Sequence, residues 1–216
     1  MALRRELLPI LLTAALLLLG PAQALAAPTW LDAEPLSDAF AAFVAPAVAT
    51  DSDGNSIAVW IDQSDIQGAV LAVYRPRGGA WETTTVDLEP DFRVLTGVAP
   101  RAVAAPNGSF VVVWDADRTG TGDTVLRSAT RSPSGAWTTE DVRDLDTTGP
   151  NFLEASTNGS VTVVAPGVGG ASSNTKTSTG AGWGGPQAVG IGTVDALASG
   201  PDGSAVAVST GLCSES

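Results

Sequence analysis

The sequence has no histidine, and cysteine, methionine, tyrosine and lysine occur once each. Without histidine there is no Ser-His-Asp triad, no Cys-His pair and no His-ligated zinc or haem. A single thiol, Cys213, excludes an internal disulfide. Positive charge is scarce as well: 11 basic side chains stand against 23 acidic ones, a net charge of −12. Phosphate backbones demand a basic patch, so nucleic acid is excluded as a partner. Any catalysis would fall to carboxylates, to Tyr74, or to serine and threonine hydroxyls. After the first two dozen residues, no run is long and apolar enough to span a membrane, and helical periodicity is absent.

The amino terminus has a three-part layout. Arg4 and Arg5 precede an apolar run from Leu7 to Leu19, and Ala24-Leu25-Ala26 supplies the small residues of a cleavage site. Residues 1–26 are therefore expected to be a secretory signal peptide, with export outside the cell or into its envelope. Cleavage there would remove Arg4, Arg5 and Glu6, leaving an acidic mature chain, 27–216, with a core-sized length.

That chain repeats itself. Pro46 to Trp60 and Pro100 to Trp114 share one pattern, and Leu153 to Val164 and Ala196 to Val208 repeat most of it. The turn glycines Gly54, Gly108, Gly159 and Gly203 are 54, 51 and 44 residues apart, each preceded by Asp or Asn. Such dipeptides between apolar runs predict hairpins in which both turn residues take positive φ. A second landmark, Gly79-Ala80-Trp81, Gly135-Ala136-Trp137 and Gly182-Trp183, is expected to open the fourth strand of each unit. Trp60 and Trp114 end continuous apolar runs, as expected of strands buried on both faces.

Four-stranded antiparallel units in series predict an all-β, β-propeller-like array. A β-sandwich is the structural alternative, but it does not account for the repeat. The blades are expected at about 46–88, 100–145 and 152–190, with a partial blade at 194–210. Trp30, in a segment 28–36, reads as a closing strand. Three full blades plus a partial one suggest a fragment of a longer protein, with a small four-blade ring as the rival.

This pattern, over residues 28 to about 210, resembles the secreted bacterial β-propeller proteins of the broad sialidase-like and BNR-like group. The resemblance is architectural. That group's Asp-box puts Trp three residues after Gly, whereas Trp60 and Trp114 lie six after Gly54 and Gly108, so the box is absent. The resemblance would imply a sialidase-type site with an arginine cluster and a Tyr–Glu pair.

Strand alternation sorts the polar residues onto two ends of the sheets. Asp62, Asp65, Glu89, Asp91, Asp115, Asp117, Asp123, Asp144 and Asp146 are expected at the long-loop end, and Arg75, Arg77 and Arg131 at the tight-turn end. The acidic loops are the candidate binding surface. Asp51-Ser52-Asp53-Gly54-Asn55 has the alternating oxygens of a calcium loop, yet its counterparts lack the upstream Asp, so it reads first as a turn, with calcium the alternative. Asn107 and Asn158 match the glycosylation pattern but fall in turns. No carboxylate pair is singled out by spacing. The expectation is a non-catalytic extracellular module binding glycan or protein, and the alternative a fragment of a sialidase-like or other glycoside hydrolase.

Overall fold

The computed structural model describes residues 32–36, 43–64, 67–82, 86–88, 92–145, 148–167, 169–190 and 192–210. The chain divides into two compact units, Met1–Glu34 and Pro35–Ser216. The signal peptide expected at 1–26 and the closing-strand Trp30 lie outside the described residues, and residues 32–36 carry no strand.

All described regular structure is β, and no described helix is long and apolar enough to cross a membrane. The first sheet runs in chain order through β1 (Phe43–Thr50), β2 (Ser56–Asp62), β3 (Ala69–Arg75) and the short β4 (Val86–Asp87). The second holds β5 (Phe92–Val94), β6 (Arg101–Ala104), β7 (Phe110–Arg118), β8 (Thr124–Arg131) and β9 (Trp137–Asp144). The third is β10 (Phe152–Ala155), β11 (Val161–Gly167), β12 (Gly170–Lys176) and β13 (Gln187–Gly190). The fourth pairs β14 (Thr193–Ser199) with β15 (Ala205–Thr210). Every pairing is antiparallel.

Two details depart from the sequence reading. The inner strand of the second sheet is split, β6 pairing with the first half of β7 and β5 with its end. Pro100, without an N–H, stands just before β6 and cannot contribute to a continuous ladder. The Trp landmark opens a strand only at Trp137. In the first sheet the Glu82 N–H makes a single bond to the Tyr74 carbonyl at 2.8 Å, and in the third Gly184 does the same to Thr175 at 2.9 Å. The ladders of β4 and β13 begin later, the latter directly after Pro186.

The repeated hairpin also differs in kind from the two-residue turn that was expected. In all four units an N–H from the landmark glycine reaches back three residues, as from Gly54 to the Asp51 carbonyl at 3.1 Å and from Gly108 to Ala105 at 3.0 Å. The glycine follows the turn with φ of +87°, +78°, +90° and +90° at Gly54, Gly108, Gly159 and Gly203. This is the three-residue hairpin closed by a left-handed glycine, where a Cβ is penalised.

The sheets stack face to face. On β7, Phe110, Val112, Trp114 and Ala116 pack against Ile57, Val59 and Ile61 of β2, while Val111 and Val113 pack against Val161 and Val163 of β11. A strand covered on both faces has to be apolar at every position, and that is the origin of the continuous runs. Trp60, with Ala58 and Val73, occupies the other face of the first sheet beside Trp81 and Leu36. Trp114 therefore points the way Trp60 does, toward the preceding face. The inner strands β1, β6, β10 and β14 lie side by side in series. Radially stacked antiparallel sheets with adjacent inner strands make the arrangement propeller-like.

Candidate functional site

Alternating strand direction gathers the β2–β3, β7–β8 and β11–β12 connections and the links between sheets at one end. There an open cleft of about 570 Å³ separates the first two sheets. Gln63 and Gln67 come from the β2–β3 connection, Arg93 from β5, Thr96 from the following loop, and Asp117 and Thr124 from the facing ends of β7 and β8. Asp117 is fixed on both sides. Its Oδ1 accepts from the Thr124 hydroxyl at 3.0 Å, and its Oδ2 lies 3.7 Å from Arg93 Nη1. Amides, hydroxyls, one guanidinium and one carboxylate thus line this cleft among the described residues.

A second cleft of about 480 Å³ opens between the third and fourth sheets. Its lining is more apolar, with Val164, Ala165, Pro166 and Val194, and it shares Thr148 with the first cleft. Thr148 belongs to the crossover from β9 to β10, so one loop borders both clefts.

Among the described residues, the expected acidic side chains do not all lie at the surface. Asp62 accepts from the Ser64 N–H at 2.8 Å, and Asp123 is exposed. Asp144 is bonded by Arg118 at 2.6 Å, and the same guanidinium reaches Asp141 at 2.7 Å. Arg127 also pairs with Asp141. Burial would raise the Asp141 pKa, but the bonds from Arg118 and Arg127 carry it below the usual carboxylate value. Asp115 sits inside the molecule rather than in a loop, fully buried, and accepts from Asn151 Nδ2 at 2.7 Å. Asp65, Glu89, Asp91 and Asp146 lie outside the described residues. Arg93, Gln63, Gln67, Asp141 and Asn151 carry no mark in the sequence, because their partners stand on other strands.

At the opposite end, Arg75 donates to the Gly79 carbonyl at 2.8 Å and lies 6.0 Å from the Trp81 ring. Arg77 packs its side chain beside Gly54. Arg131 is buried 3.6 Å over the Tyr74 ring and 3.8 Å from Glu82. Tyr74 is thus enclosed by Arg131 and Phe110, in the hairpin half of β3. That is the wrong end of the sheet for a sialidase-type pair with the cleft. Trp137 packs against the first core, and Trp183 donates to Ser128 at 2.8 Å beneath Lys176.

The calcium-like stretch is a turn. Asp51 Oδ1 accepts from the N–H groups of Asp53 and Asn55 at 3.0 and 2.9 Å, and Oδ2 from Asn55 Nδ2 at 2.9 Å. Those donors occupy the oxygens that an ion would need. Among the described residues, no three acidic or cysteine side chains converge on a metal position.

No protein-family model and no curated protein matches the sequence. Solved structures similar to it include the GH93 α-L-arabinofuranosidase of Fusarium graminearum in complex with arabinobiose. That match has 14% identity and a TM-score of 0.42, over 72% of this chain and 53% of that one. The α-L-arabinofuranosidase of the same organism with an iminosugar inhibitor matches at 14% identity and a TM-score of 0.43, with the same coverage. The chain spans about half the length of these structures. Both are glycoside hydrolases, a finding that goes against the expectation of a non-catalytic module that is no enzyme.

Proposed function

We propose that the chain is the propeller-like part of a glycoside hydrolase, and that the cleft between the first two sheets holds a sugar residue of the substrate. The observation that carries this reading is Asp117, a carboxylate steadied by Thr124 and Arg93 at the wall of a cleft lined with amides and hydroxyls. Gln63, Gln67, Thr96 and Thr148 offer both donors and acceptors, which suits neutral hydroxyls better than a charged ligand. Glycoside cleavage places two carboxyl groups about the scissile bond, one acting as acid and one as base or nucleophile. Asp117 supplies one of them. Asp62 and Asp123, at the same end of the sheets, are the described acids from which the second would come.

A panel of aryl glycosides, α-L-arabinofuranosides included, tests the reading. The wild-type chain should release aglycone from at least one of them. Asp117→Asn should lower that rate by about a hundredfold or more, the usual scale for losing a positioned acid or base. Absence of turnover on the whole panel, or equal rates for the variant, would overturn it.

A further inference from the structure

Asp115 and Asn151 are both fully buried, at 0% exposure, between the second and third sheets. Asn151 Nδ2 donates to Asp115 Oδ1 at 2.7 Å. The other two oxygens of this pair, Asp115 Oδ2 and Asn151 Oδ1, are buried without any hydrogen-bond partner. Two unpaired acceptors on side chains already joined by one bond are costly, since a buried polar atom without a partner forfeits its hydration. A single hydrogen between the two orphan oxygens would satisfy both.

We propose that Asp115 and Asn151 are a proton-gated clasp: protonated at Oδ2, Asp115 donates to Asn151 Oδ1 and closes a two-bond ring that holds the crossover from Thr148 to Asn151; ionised, it leaves that ring open. The proton comes from and returns to solvent, and no other bond changes. The crossover carries Thr148, which lines both clefts, and Gly149 and Pro150, which line the second. Asp115 and Asn151 are thus positioning residues, acting on the cleft walls through the backbone that they pin.

The surroundings agree with a neutral acid. Burial pushes the Asp115 pKa up to about 6, against the lowering effect of the Asn151 bond, the Gly149 N–H and Arg143. Arg143, from β9, is engaged with the carbonyls of Ala165 and Pro166 at 2.8 and 3.0 Å, and with Ser172. Arg101, from β6, donates to the Asn151 carbonyl at 2.8 Å rather than to the carboxyl. On its own strand, Asp117 is held by Thr124 and Arg93. On β8, the residue opposite Asp115 is Leu126, which is uncharged.

The sign of the effect follows from linkage. The clasp's stabilisation is complete below the ordinary value of 3.8 and is lost as pH rises through about 6. The folding constant of the full chain should fall about a hundredfold between pH 4 and pH 8 on this account. Asp115→Asn can close the same ring with its amide, so its stability should be flat across that window. It should also keep the backbone amide of Asn151 protected from exchange across that window, whereas wild type should lose that protection above pH 6. Asp115→Leu, with no group to titrate and unable to make the ring, should be flat as well but less stable than Asp115→Asn, and should lack the protection at every pH. A carboxyl carbon resonance for Asp115 that titrates below about pH 4.5, or an Asp115→Asn variant with the wild-type pH dependence, would overturn the clasp. These readouts need no substrate, so the clasp can fail while glycoside turnover stands, and the reverse.

Discussion

Asp51 shows how one residue shifts a repeated job. In the later hairpins the side chain just before the glycine accepts the N–H two residues on, as Asn107 does from Ser109 and Asn158 from Ser160, at 3.1 and 2.9 Å. In the first hairpin Asp53 holds the equivalent place, yet Asp51 accepts the corresponding N–H of Asn55 and adds two further bonds. Truncating Asp51 leaves three donors to find other partners. Asp51→Ala should cost about 2 kcal/mol of stability in urea unfolding, the scale of lost bonds to a charged acceptor. Millimolar calcium should leave the wild-type melting temperature unchanged. The turn glycines were legible in sequence because a left-handed residue after the turn all but requires glycine, so a fixed backbone shape leaves a fixed letter. The fate of Asp115 was not. It follows a tryptophan at the end of an apolar run and reads as the first residue of an acidic loop, and only the crossover 36 residues away, with Asn151, explains its burial. The ion pairs of Arg118 with Asp141 and Asp144 span strands in the same way.

At the level of elements, β7 is the strand around which the second sheet is organised. It pairs with β5, β6 and β8, and its two faces feed two different cores. Trp114 is its largest fully buried side chain, and its indole N–H has no partner. Trp114→Ala should destabilise by about 3–5 kcal/mol, as large aromatic truncations in packed cores do. Trp114→Phe keeps most of the ring and removes the unpaired donor, so it should cost less than half as much in the same unfolding assay. Hydropathy revealed β2 and β7 because burial on both faces leaves no polar position to confuse the reading. It missed β5, three residues long, and misplaced the starts of β4 and β13. Strands this short are set by which backbone groups a neighbour offers, a quantity that side-chain pattern does not carry.

Across the whole molecule, the sheets differ in how well they are covered. The second is packed on both faces, whereas the fourth keeps Val206 and Val208 exposed at 67% and 57%. These valines pair with Ala198 and Ala196, making an apolar patch across the hairpin. The net charge of −12 opposes self-association at a distance, but short-range contact through such a patch still rewards it. Val206→Glu with Val208→Glu should raise the temperature at which light scattering begins, with little change in the unfolding midpoint. Unchanged scattering would show that association runs through another surface.

The hairpin tips add a kinetic consequence. Successive inner strands lie side by side, so each unit seats on the one before it, and at the last hairpin a Cβ on Gly203 would meet the Asn158 amide at 2.6 Å. Pairing partners are close in sequence, and packing partners belong to adjacent units. The ordering cost of folding is therefore met in small instalments, with the second sheet as the natural nucleus and the fourth as the last to dock. In unfolding the order reverses, and the least covered hairpin opens and recloses many times for each global event.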